Sequence, residues 1–426
     1  MPLVAPDSSK AIFSISPELI VTTRCMLTFA AMIDVVLKKG KEKAVLHRHP
    51  WVFSGAIEPV KGKPANGDIV RLIDAGGRFM AYGFYNAQSR VALRLLEWDE
   101  ATKVDEGWFR AAVAAAVAGR SELLADGLTD TCRLIFSESD FLPGLIVDKY
   151  AGHLAVQVLT SGIEKMMPVI IDELQNLLKP ESIFDKSDAA SRSHEGMETV
   201  NASLTLNPPP EFVEVLENGI RYHINIAEGQ KSGFYCDQRD NRKILAMHAK
   251  GKKVLDCFSY TGGFTLNCLH TDAASVTSVD SSSLAVETLL QNITLNKFDA
   301  KKVTAITSDV NKQLRKFRED GETFDIVVLD PPKYAPSRSA LDKASRAYKD
   351  LNRLGMLLLN KGGLLATFSC SGAMNMETFK QVLAWAALDA GKQVQFIRQF
   401  CQPEDHPVRS SFPEGEYLKG LLCRVF

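Results

Sequence analysis

From Ile33 to about Leu96 the chain runs in short segments where apolar and polar residues alternate, such as Asp68-Ile-Val-Arg-Leu-Ile-Asp74 and Val91-Ala-Leu-Arg-Leu-Leu96. A period of two puts alternate side chains on one face of a strand. The turns between these runs carry glycine and proline (Lys61-Gly-Lys-Pro64, Asn66-Gly-Asp68, Asp74-Ala-Gly-Gly77), which predicts a small β-barrel. An alanine-rich helical pattern over Trp108 to Leu124 opens a second block. Strands at Arg133-Leu-Ile-Phe136, Gly144 to Asp148 and Leu154 to Leu159 follow, then a helix near 163–178 and a strand at Ser182-Ile-Phe-Asp185. Asn207-Pro-Pro-Pro-Glu211 reads as a stiff linker.

Beyond a hairpin at Phe212 to Ile226, the pattern changes to apolar runs separated by helical periods. The runs are Lys253 to Asp256, Ser275 to Asp280, Val303 to Ile306, Phe324 to Asp330, Leu364 to Phe368, Val394 to Arg398 and Leu418 to Phe426. Strands alternating with helices predict βαβ crossovers and a doubly wound sheet. The expected class is α/β. Its parts are a leader at 1–31 with no convincing element and read as dispensable, a barrel at 32–107, a mixed α/β unit at 108–211 and a doubly wound domain at 212–426.

Composition narrows the classes. At 426 residues the chain is long enough for two or three cores, and no stretch approaches the ~18 consecutive apolar residues of a membrane span. Eight cysteines with no Cys-x-x-Cys pair read as reduced cytoplasmic thiols. His47-x-His49, with no cysteine nearby, does not make a metal site. The net charge of −1 hides an asymmetry: Lys38 to Arg94 holds eleven Lys/Arg against four acids. A phosphate backbone and a solvated basic face explain that count equally well. Nothing in the pattern specifies an oligomeric state, and a homodimer is left open.

Candidate chemistry lies at the strand ends. Asp256-Cys-Phe258-Ser-Tyr-Thr261-Gly262-Gly263-Phe264 is a strand, a tight turn and a helix start, with glycines that allow a ligand close to the backbone. Asp280 ends the second strand, where an acid can accept from ribose hydroxyls, and Asp309 follows the third, within reach of an adenine amino group. Each alone reads as a helix cap; three in register suit a nucleoside without a diphosphate, such as S-adenosylmethionine. The Gly-x-Gly-x-x-Gly fingerprint of a nicotinamide site is absent.

Asp330-Pro-Pro-Lys333 follows the fourth strand and Cys370 the fifth, so the two sites should converge. A thiolate beside an acid can attack an electron-poor pyrimidine carbon. Lys333 and a helix starting near Asn375 are expected to lower the thiol pKa. Cys257 should pack in the core, whereas Cys236 lies in a polar loop and competes with Cys370.

These residues, together with Arg48-His-Pro-Trp-Val-Phe-Ser-Gly55, Glu138-Ser-Asp-Phe-Leu-Pro-Gly-Leu145, Gly233-Phe-Tyr-Cys-Asp-Gln-Arg-Asp240, Thr367-Phe-Ser-Cys-Ser-Gly372, Asp405-His-Pro-Val408 and Glu414-Gly-Glu-Tyr-Leu-Lys-Gly420, form an ordered set. From about Met32 to Phe426 the chain closely resembles the RlmI-like ribosomal large-subunit RNA cytosine-C5 methyltransferases. That resemblance implies an N-terminal PUA domain, a central α/β domain and a C-terminal Rossmann-like methyltransferase domain with a seven-stranded sheet, using S-adenosylmethionine and acting on 23S ribosomal RNA. It favours RNA as the partner of the basic segment (Lys38, Lys39, Lys41, Lys43, Arg48) and implies that Asp237, Gln238 and Arg239 close over the cofactor. Cys236 departs from the family, which has an aliphatic residue there. Lys333 stands where many RNA cytosine-C5 enzymes have a second cysteine, leaving Lys333, water or a neighbouring carboxylate to take the C5 proton. Two other readings are an amino-methyltransferase gripping an exocyclic base nitrogen with Asp-Pro-Pro, and a silent RNA-binding assembly factor.

Overall fold

The computed structural model describes residues 32–187, 192–335 and 337–426; the leader read at 1–31 lies outside them. The alternating runs of the first block form a five-stranded sheet in the order Asp34–Val36, Ile69–Ile73, Phe79–Tyr85, Val91–Glu97, Trp51–Phe53. A bridge between Leu37 and Ile57, flanked by the Lys38 N to Ala56 O and Glu58 N to Val36 O bonds, closes it into a barrel. Its apolar positions (Val35, Leu72, Ala81, Leu93, Leu95) fill one core, as a period of two requires.

The second block is a five-stranded mixed sheet with the amphipathic helix Ser161–Leu178 packed on it. The helix expected over 108–124 is two helices, Glu106–Ala118 and Ser121–Ala125. The break falls at Arg120, whose side chain turns inward to a bidentate pair with Asp140 at 2.9 and 2.6 Å. A strand at Val200–Ser203 was not foreseen; its four residues alternate too weakly to be read alone.

The third block is a seven-stranded sheet in the order Val303–Thr307, Ser275–Asp280, Lys253–Cys257, Phe324–Leu329, Leu359–Ser369, Lys419–Val425, Val394–Phe400, with Lys419–Val425 antiparallel to both neighbours. One apolar cluster under the helices Val310–Glu319, Leu341–Leu357 and Met376–Ala390 covers one face. A second, under Arg239–Ala246, Gly263–His270 and Ser283–Leu295, covers the other. With both faces buried the strands read as continuous apolar runs. The order reverses between Lys253–Cys257 and Phe324–Leu329, which opens a crevice at the carboxyl ends. The hairpin Val213–Glu217/Ile220–Ile224 packs with Tyr150 and Phe184 of the second block and Leu266 of the third, joining the two.

Candidate active site

The expected strand-end residues take different roles in the fold. Asp256 is buried on the first strand of the sheet. Its Oδ2 accepts from Thr265 N (3.0 Å) and Thr265 Oγ1 (2.7 Å), while Oδ1 has no partner. Burial raises its pKa to about 7, against the opposing bonds from Thr265. Thr261 Oγ1 and Ser259 Oγ in the following loop are also buried without partners. Asp280 spends its carboxylate on the loop backbone, accepting from Tyr260 N and Ser282 N at 2.9 Å. Asp309 is exposed and caps the helix Val310–Glu319 through Lys312 N at 2.9 Å. The loop is backbone-strained: Phe258, Tyr260 and Gly262 have φ of 61°, 48° and 93°. A Cβ at Gly262 would lie 2.7 Å from Leu266 and at Gly263 2.5 Å from Arg242, so these glycines admit neighbouring side chains of the protein itself.

Orphaned oxygens at Asp256, Ser259 and Thr261 beside a carboxylate at Asp280 fit a ligand that brings hydroxyls and positive charge, as S-adenosylmethionine does.

The chemistry end assembles as the topology demands. Leu329 pairs with Thr367 across adjacent parallel strands, which brings the residues after each, Asp330 and Cys370, to the same edge. Burial and then the nearby Asp237 raise the Asp330 pKa to about 6, and Gln238 Nε2 donates to its Oδ2 at 3.0 Å. Cys370 is half-buried. Its pKa moves the opposite way to the expectation from sequence: burial and then Asp330 raise it, and the cation that opposes them is Lys231 rather than Lys333. Lys333 is exposed, and its charge is felt by Lys419. The following helix does begin after Asn375, whose Oδ1 accepts from Thr378 N at 2.8 Å.

Sequence reading overlooked four residues around the thiol. Lys419, buried, interacts electrostatically with Cys370 and donates to Ser371 O (3.0 Å) and Tyr417 O (2.7 Å). Lys231 pairs with Asp237 at 2.9 Å and lies 4.0 Å from the Tyr235 ring centre. Tyr417 donates to Asp237 Oδ2 at 2.6 Å. Tyr348 accepts from Ser369 Oγ at 2.9 Å and meets Ser371 at 3.3 Å, fixing both neighbours of Cys370. Lys419 and Tyr417 sit in the Glu414 to Gly420 motif, the one signal that pointed to them.

Of the segment expected over the cofactor, Gln238 reaches Asp330, but Arg239 turns to an ion pair with buried Asp405 at 3.1 Å. Cys236 is buried, 3.8 Å from Thr131 Oγ1, with its thiol pKa pushed well up by burial; Cys257 is fully buried. The basic residues lie elsewhere, on the barrel: Lys39, Lys41, Lys43 and Arg48 are exposed, while half-buried Lys38 donates to Gly55 O at 3.1 Å.

A family model described as PUA-like domain matches residues 35–98, and one described as S-adenosylmethionine-dependent methyltransferase matches 198–416. The chain is thus an S-adenosylmethionine-dependent methyltransferase carrying a PUA-like domain. Ribosomal RNA large subunit methyltransferase I of Enterobacter sp. (strain 638) is 44% identical over 394 residues, and its counterpart in Escherichia coli (strain K12) 43% over 393. Each match covers 92% of this chain and 99% of the relative. The chain belongs to the ribosomal RNA large subunit methyltransferase I family. Two solved structures share the fold: SMU.776, described as a methyltransferase and complexed with SAH (TM-score 0.82), and a protein from Streptococcus mutans described as a SAM-dependent methyltransferase (0.80). Both are 22% identical, and each match covers 92% of this chain and 100% of the other.

Proposed function

We propose that this protein methylates C5 of a cytosine in 23S ribosomal RNA, in the cytoplasm, through a transient bond between Cys370 Sγ and ring C6. One observation carries the reading: adjacent strands set a half-buried thiol against a half-buried carboxyl whose pKa is raised to about 6. The names of the relatives support a large-subunit RNA as substrate. Flipping the base out of a stack costs a few kcal/mol, least where it is already unpaired.

Protonated Asp330 donates to N3, which makes C6 electron-poor. Cys370 thiolate adds there and the ring electrons move to C5, which becomes the nucleophile. S-adenosylmethionine, when bound, supplies an electrophilic methyl group. A base, for which Lys333, water and a neighbouring carboxylate are the candidates, then takes the C5 proton. That C–H pair re-forms the C5–C6 double bond as the S–C6 bond breaks and its electron pair returns to sulfur, and N3 gives its proton back to Asp330. Lys231 and Lys419 hold positive charge near the sulfur while it is anionic.

Nucleoside mass spectrometry of RNA methylated by the purified protein tests the reading. The expected product is 5-methylcytidine, absent when Cys370→Ala replaces the wild type. An N-methylated nucleoside, or full activity in the variant, contradicts it.

A further inference from the structure

A cleft of about 590 Å³ lies away from the thiol, where all three blocks of the chain meet. The barrel contributes Arg48 and Trp98, the central block Trp108 and Phe141, and the methyltransferase domain Arg409. Two guanidinium groups flank one indole: Arg48 Cζ is 5.8 Å and Arg409 Cζ 5.2 Å from the Trp98 ring centre, and Arg409 also lies 4.5 Å from that of Phe141. Among the described residues neither arginine pairs with a carboxylate. Arg409 Nη2 donates to Arg48 O at 3.2 Å; burial and then Arg48 lower the Arg409 pKa, and the charge of Glu138 opposes them without reversing the shift.

The one acid in the lining, Glu97, already accepts from Trp98 N (2.7 Å), Asp99 N (3.0 Å) and Trp108 Nε1 (3.4 Å). The cleft is also built in place. Trp98 Nε1 donates to Val45 O at 3.1 Å, and Arg48 and Phe141 hold left-handed backbones, with φ of 60° and 63°. Phe141 nonetheless leaves 53% of its surface exposed.

Two guanidinium groups held together between aromatic faces suit an anion that carries a flat ring. We propose that this cleft is a subsite for one unpaired nucleotide of the RNA substrate, with Arg48 and Arg409 on its phosphate and the aromatic walls on its base. RNA held there bridges the barrel to the methyltransferase domain, and exposed Lys39, Lys41 and Lys43 extend the track along the backbone. The proposal rests on RNA being the substrate, but not on which base atom is methylated.

Titrating full-length protein with in vitro transcribed 23S RNA over a salt series tests it. Arg409→Ala is expected to weaken binding about tenfold and to flatten the salt dependence of log K by roughly 0.7, one phosphate contact of a single strand. Phe141→Ala should weaken binding while leaving that slope in place, and Arg409→Lys should retain the slope. Affinity for S-adenosylmethionine, read by calorimetry, should match wild type in all three, which establishes that they fold. Wild-type binding with unchanged variants overturns the cleft alone. A wild type that binds no RNA overturns the substrate reading and the cleft together, and a methylated product other than 5-methylcytidine leaves the cleft standing.

Discussion

At the residue scale the site depends on two neighbouring acids whose protons are harder to lose than usual. On the proposed mechanism Asp330, raised to about 6, holds a proton to assist N3, whereas Cys370, raised above its ordinary value, loses one. The active form therefore carries one proton between the two groups. Between the two values the proton sits mainly on sulfur and the active arrangement, acid protonated and sulfur ionised, is a minor form of constant fraction; below about pH 6 a second proton removes it, and above the thiol pKa both are ionised and N3 loses its donor. The pH profile of kcat/KM at saturating cofactor is expected to be a plateau with an acid limb near pH 6 and an alkaline limb above 9. An acid limb near pH 4 would mean that Asp330 is not part of it. The convergence of Asp330 and Cys370 at one edge of the sheet was legible in the sequence because strand ends are. Lys231 and Lys419 were not, since they reach the thiol from segments about 140 and 50 residues away along the chain.

At the scale of elements, the loop Phe258 to Gly262 shows why a short motif can be recognised yet its cause misread. The glycines suggested room for a ligand. In the fold, Gly262 combines φ of 93° with a Cβ position 2.7 Å from Leu266 and 2.9 Å from Leu289. A left-handed L-residue costs about 1–2 kcal/mol before any clash. Gly262→Ala is expected to lower stability by about 2 kcal/mol or more in chemical denaturation and to weaken cofactor binding with it; a variant as stable as wild type would show that the loop relaxes. The doubly wound domain was legible because its buried strands are continuous apolar runs. The break in the helix at Arg120 was not, because the partner that draws the arginine inward, Asp140, comes from another element.

At the scale of the whole molecule, the domains are joined by buried charge. Asp405 Oδ2 accepts from Arg133 N of the central block at 2.9 Å, its Oδ1 faces Arg239 at 3.1 Å and His406 at 3.2 Å, and its carbonyl accepts from Arg120 at 3.0 Å. Burial pushes the Asp405 pKa up, but His406 and Arg239 outweigh it and hold the value at about 2. A carboxyl depressed in this way stabilises the fold above its unfolded pKa and loses that contribution as pH falls toward 2. Asp405→Asn leaves buried Arg239 with only the more exposed Asp240, 3.1 Å away, as its ion-pair partner and is expected to cost about 3 kcal/mol, read as a lower thermal midpoint at neutral pH; an unchanged midpoint would mean that the interface relaxes. Sequence alone did not reveal this joint, because Arg239 was read as facing the cofactor.

The central claim is that sulfur bonds to the pyrimidine during turnover. Incubating the protein with cofactor and 5-fluorocytosine-substituted 23S RNA, which has no C5 proton to lose, should trap that bond. Peptide mass spectrometry is predicted to place the nucleotide on Cys370, with no adduct on Cys370→Ala. An adduct on another residue, or methyl transfer with no adduct at all, would contradict the account.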